Sequence, residues 1–90
     1  MYIHLGMNEV VNEKEIVGIF DIDNCSIGKH TRTFFRIAEQ QGRVRNVSED
    51  LPKSFILTEK NRENRVYISA ISANTLKKRS FLGKQDNAEQ

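Results

Sequence analysis

Two carboxylates, Asp21 and Asp23, stand two residues apart at the end of an apolar run, Phe20-Asp21-Ile22-Asp23. This is the pattern of an aspartyl-phosphate strand, in which the first carboxylate attacks, the second carries a proton and Mg²⁺ neutralises the phosphate. That chemistry needs a much larger doubly wound sheet and further acidic ligands than 90 residues supply. The plainer role is acidic residues leading into a helix N-terminus, where the backbone dipole favours negative charge. Gly28-Lys29-His30-Thr31 looks like the end of a phosphate-binding loop, but the position of its first glycine is Asp23, and His30 separates the lysine from the hydroxyl. Cys25 and His30 lack an orienting third group and an oxyanion hole. His4 and His30 fall on different elements, and Cys25 is the single cysteine, so no zinc-site spacing exists. The sequence reads as a non-enzyme with no metal, no cofactor and no small-molecule substrate.

Two basic sets remain. Lys29, Arg32, Arg36 and Arg43 recur at helical spacing, with Arg45 just beyond, and Lys77-Lys78-Arg79 stand together near the C-terminus. Lys53, Arg62 and Arg65 lie on or beside the last hairpin. Such cations on one face neutralise phosphates and release counterions, an affinity source that depends on salt and not on base sequence. They equally suit a solvated helix surface. Charge is unevenly placed. Acidic groups outnumber basic ones by four over residues 1–28, basic groups exceed acidic ones by four over 29–48, and the chain as a whole carries +2. A basic face therefore meets either an anion or the acidic segment of another subunit.

The elements that must position these residues begin with short strands. Tyr2-Ile3-His4-Leu5 is stopped by Gly6, Glu9-Val10-Val11 by Asn12, and Glu15 to Asp21 forms a third strand, apolar on both parities, in which Gly18 marks a bulge or a close backbone approach. Short connections predict an antiparallel meander. The period then becomes helical: Ile27, Thr31, Phe34, Phe35 and Ala38 form one stripe of a helix from Ile27 to Gln41, with Asp23, Asn24 or Ser26 as N-cap and Gly42 as left-handed C-cap. Val44 to Val47 is extended, Ser48 to Pro52 is a polar turn, and Ser54–Thr58 and Arg65–Ser69 are strands joined by the polar loop Lys60–Asn64. Ser72 or Asn74 caps a short helix near Asn74–Phe81. The expected fold class is α+β: a small antiparallel sheet of about five or six short strands, one longer helix and one short C-terminal helix. Residues 1–82 are expected to form a single domain and 83–90 a disordered tail.

The bulk properties agree. No run approaches the ~20 apolar residues a membrane span requires, no signal-peptide pattern opens the chain, and one cysteine cannot build a disulfide framework. The expected compartment is the cytoplasm. Tyr2, Ile3, Val10 and Val11, on short strands with open edges, are the candidate subunit contact.

Four blocks together carry a resemblance: Met1-Tyr2-Ile3-His4-Leu5-Gly6, the strand Ile16–Asp21, Pro52-Lys53-Ser54-Phe55-Ile56-Leu57-Thr58, and Val66 through Arg79. In order and spacing they resemble the small bacterial extracellular matrix regulatory proteins, the RemA/RemB-like family, and the RemB (YaaB) branch most closely, over about residues 1–80. The resemblance implies a cytoplasmic DNA-binding regulator of biofilm-matrix genes; in the RemA branch of that family, subunits assemble into rings with duplex DNA along a basic outer surface. In that branch, basic residues just before the penultimate strand contact DNA. Here that stretch reads Glu49-Asp50-Leu51-Pro52-Lys53, so only Lys53 carries over.

The expected phosphate-gripping residues are Lys53, Arg65, Lys77, Lys78 and Arg79, followed by Lys29, Arg32 and Arg36, each a charge-assisted donor on double-stranded DNA presented by a homo-oligomer. The competing expectation is an assembly or adaptor module whose basic face docks an acidic protein surface. An RNA binder fits less well, because the five phenylalanines mostly take core positions and leave no stacking platform.

Overall fold

The computed structural model describes residues 1–23 and 28–80. Among these described residues there are two α-helices and six strands in two small sheets, an α+β fold. Strands β1 (Tyr2–Gly6) and β2 (Glu9–Asn12) form an antiparallel hairpin. Met7 and Asn8 at its tip both have positive φ, the two-residue turn whose twist suits a hairpin. The predicted meander stops there. Asn12 caps a single 3₁₀ turn, Glu13–Glu15, by accepting from the Lys14 amide at 3.0 Å. That turn swings β3 (Ile16–Asp21) away from β2, and β3 pairs instead with β5 (Ser54–Lys60).

The second sheet has the order β3-β5-β6-β4, with β6 spanning Glu63–Ser69 and β4 spanning Val44–Asn46. β3, β5 and β6 are antiparallel neighbours, whereas β4 runs parallel to β6. The helix α1 (Lys29–Gln40) explains this: it carries the chain across one face of the sheet and returns it in the same direction as β6. Gly42, at φ +70°, ends α1 as expected, with the Arg43 amide donating to the Ala38 carbonyl and the Gly42 amide to Glu39. At its start the N-cap is Gly28, without a side-chain cap. Asp23 instead lies upstream, its amide donating to the Asp21 carboxylate at 2.9 Å. Asn24, Cys25, Ser26 and Ile27 lie outside the described residues, as do Phe81 and the C-terminal tail.

Alternation along the strands sorts the core into two layers, because successive side chains leave opposite faces. Phe55, Leu57 and Val66 face α1 and pack with Ala38, Phe34 and Phe35 of the predicted stripe. Phe20 stacks on Phe55 at 5.2 Å between centroids, and Phe35 meets Phe55 edge-on at 5.7 Å. Ile19, Ile56 and Tyr67 face the other way, onto Ile3, Leu5 and Val11 of the hairpin and Ala73 and Leu76 of α2 (Ala73–Arg79). The central strand β5 is buried from Ser54 to Thr58, as a strand covered on both faces must be. The register shift in β3 lies between Ile16 and Gly18, and the ring of Phe20 fills the space that a side chain at 18 would need. The bulge is thus present, and the close approach is by a ring and not by backbone.

Asn61 and Arg62 form the tip of the β5-β6 hairpin, both at positive φ. The loop is accordingly two residues, shorter than the predicted polar segment, because β5 and β6 continue pairing to Lys60 and Glu63. An L-residue other than Asn or Gly is strained there. Arg62→Gly is expected to stabilise the fold by about 0.5–1 kcal/mol. In urea unfolding the midpoint should rise with an unchanged slope.

Candidate nucleic-acid interface

The short helix α2 presents Lys77, Lys78 and Arg79, all exposed, on its last turn. Cations are favoured there by the helix dipole. Ser72 is the N-cap, accepting from the Thr75 amide at 3.2 Å, and the Ser80 hydroxyl donates to the Lys77 carbonyl at 2.7 Å. On the inward side Ala73 and Leu76 are buried. Buried hydroxyls fix the approach to this helix. Ser54 donates to the Ile71 carbonyl, and Ser69 donates to the Leu5 carbonyl, each at 2.7 Å, while the Ile71 amide donates to Ser69 at 3.0 Å. Those bonds tie the hairpin, the central strands and the lead into α2 to one another, so the basic cluster rides on a fixed base.

The eight sequence-predicted phosphate contacts do not form one patch. Lys29, Arg32 and Arg36 are exposed on α1, across the sheet from α2. Lys53 is exposed at the end of the sheet where α2 begins, its amide donating to the Ser69 carbonyl at 2.8 Å. Arg65 lies on β6 and is 2.9 Å from Glu63. Hydrogen bonding to Tyr67, then to Glu63, raises its guanidinium above the ordinary value, so it stays charged but is already partnered. The Arg79 guanidinium reaches the His4 carbonyl at 3.4 Å, leaving it close to β1. Lys29, Arg36, Lys53, Lys77 and Lys78 make no ion pair with a described carboxylate.

Other cations are used within the fold. Arg43 lies past the end of α1 and meets Glu63 at 3.8 Å, Arg45 meets Glu9 at 2.6 Å, and Lys60 meets Glu15 at 3.7 Å. Each such surface pair is worth about 0–1 kcal/mol. The Arg45–Glu9 pair joins the acidic N-terminal segment to the basic stretch 29–48 of its own chain, and Lys60–Glu15 joins that acidic segment to β5. Among the candidate subunit contacts, alternation separates two pairs: Ile3 and Val11 are buried in the core, whereas Tyr2 and Val10 face outward.

The sequence did not reveal a groove of about 940 Å³ between α1 and the sheet. Ile22, Phe35, Phe55 and Ile68 supply apolar lining, and Lys29, Arg32, Arg36 and Glu39 of α1 border it. Of the predicted α1 stripe, Thr31 and Phe35 are among the groove's lining residues. Among the described residues no cluster of three or more His, Cys, Asp or Glu suits a metal ion, and no helix is long and apolar enough to cross a membrane.

Comparison with known proteins gives two findings. The RemA-like family, described as "Extracellular matrix regulatory protein A-like", matches residues 2–80. The chain is also similar to extracellular matrix regulatory protein B of Bacillus subtilis (strain 168), with 38% identity over 80 residues, covering 89% of this chain and 90% of that protein.

Proposed function

Because the chain belongs to the RemA-like family of extracellular matrix regulatory proteins, we propose that it is a non-enzymatic, cytoplasmic regulator of matrix genes that binds the phosphate backbone of duplex DNA as a homo-oligomer. The observation that carries this proposal is the α2 cluster: Lys77, Lys78 and Arg79 exposed on one helical turn, none in an ion pair with a described carboxylate. Lys53, at the end of the sheet where α2 begins, adds a further donor. Arg65 ranks below them, because phosphate must compete with Glu63 for its guanidinium.

Three or four phosphate contacts on one protomer bind weakly at physiological salt. Repetition supplies the missing affinity: once one copy is bound, its neighbours engage the same duplex at high effective concentration. Non-specific electrostatics also explains why recognition needs little base readout.

Titration of a random duplex by fluorescence anisotropy, repeated over a range of salt, tests this directly. Log affinity should fall linearly with log salt, with a slope of about −0.9 for each phosphate contacted. Failure to retain duplex at ~50 mM salt and micromolar protein would reject DNA binding in favour of the adaptor. That second role has one observation of its own in its favour, the apolar groove with cations along α1.

A further inference from the structure

The loop between β4 and β5 contains Glu49-Asp50-Leu51-Pro52, and all four residues are exposed. Leu51 is 76% exposed, more than any other large apolar side chain among the described residues. The Asp50 carboxylate accepts from the Leu51 amide at 2.8 Å, which shapes the loop locally. An isolated exposed leucine is ordinary. One carried between two carboxylates and a proline, on a loop exposed from Glu49 to Pro52, has the form of an anchor with an acidic collar.

The α1 groove has the opposite character. Its lining includes Ile22, Phe35, Phe55 and Ile68, and Lys29 and Arg36 stand beside it without a described carboxylate partner. At about 940 Å³ it has room for a leucine and a proline together. We propose that the groove receives the Glu49–Pro52 loop of a second copy of this chain, with Leu51 on the apolar floor and Glu49 and Asp50 facing Lys29 and Arg36. An apolar anchor buried inside a ring of charges is the arrangement that concentrates binding energy at protein interfaces. The surrounding charges set orientation and approach rate more than affinity. Within its own protomer Leu51 is exposed, so the loop does not fill the groove of the chain that carries it.

Loop and groove are different surfaces, and the contact is therefore head-to-tail. Each copy gives one loop and accepts one, which closes into a ring when the rotation permits. The two basic sets then divide their work: the α1 cations hold a neighbour, and the α2 cations on the other face of the sheet stay open to phosphate. This interface rests on the self-association proposed above.

Its test is light scattering of the wild type, of Leu51→Ser, of Lys29→Glu/Arg36→Glu, and of the two variants mixed. The substituted residues are exposed, and far-UV circular dichroism checks that each variant folds. The wild type should assemble, and each variant alone should fall to the protomer mass. The equimolar mixture should recover the mass of two protomers, because one variant keeps its groove and the other keeps its loop. A wild type that assembles while both variants retain its mass overturns this contact and leaves self-association standing. A mixture that stays at the protomer mass also overturns the contact. A monomeric wild type overturns the contact and self-association together.

Discussion

Lys77→Ala/Lys78→Ala/Arg79→Ala is expected to lose most duplex affinity while the protein remains folded. Each cation that reaches a phosphate contributes about −0.9 to the salt slope, so removing three reduces the slope by roughly 2.7 for every bound protomer. At ~50 mM salt this corresponds to an affinity loss of about 100-fold or more, and the loss grows with the number of copies on one duplex. The core is untouched, because the three side chains are exposed and the core face of α2 is Ala73 and Leu76. Losing favourable charge at the helix end costs about 0.3–1 kcal/mol per cation. Lys60→Ala is a control for a cation already engaged within the fold. It also removes one positive charge, but one already 3.7 Å from Glu15, and its slope should equal that of the wild type. A triple variant with the wild-type slope would move the phosphate contacts to the α1 face, to Lys29, Arg32 and Arg36.

Local patterns were legible where one periodicity decided the outcome. Phe34, Phe35 and Ala38 point inward from α1 because a helix cannot avoid stacking positions three and four apart. Gly42 ends that helix because its positive φ is open to glycine at little cost. Ser72 caps α2, one of the two residues the sequence offered. Strand partners were less legible. A three-residue 3₁₀ turn sent β3 to β5 and broke the predicted meander, and the crossover through α1 made β4 parallel to β6. Both depend on where a chain is aimed after a turn, which short-range patterning does not encode. The same limit governs the candidate site. Charge spacing found both basic sets but could not show that a sheet lies between them. Nor could it show that Glu63 holds Arg65, two residues away on the same strand, since i and i+2 share a face only once the strand is known to form.

Leu76→Ala is expected to destabilise the fold by about 3–4 kcal/mol, a large part of the roughly 5–10 kcal/mol that holds a domain of this size. Leu76 is fully buried, at 0% exposure, in the cluster that includes Ile19, Tyr67 and the hairpin residues Ile3 and Leu5. Truncation removes the side chain that anchors a seven-residue helix. Such a helix is far too short to persist in water without tertiary contacts. Nearby polar groups sharpen the loss, because Ser69 and Ser54 are bonded to the carbonyls of Leu5 and Ile71, and loosening α2 lets water compete for those bonds. Thermal unfolding should show the midpoint falling by about 15 °C or more. Leu76→Met keeps the volume and should cost less than about 1.5 kcal/mol. DNA binding separates the two variants further. Leu76→Met should bind as the wild type does, whereas Leu76→Ala should lose affinity on warming before global unfolding, as α2 detaches with Lys77, Lys78 and Arg79. An alanine variant that keeps full affinity up to its own unfolding midpoint would show that the cluster does not need α2 docked, and phosphate binding would then be a property of the charges alone.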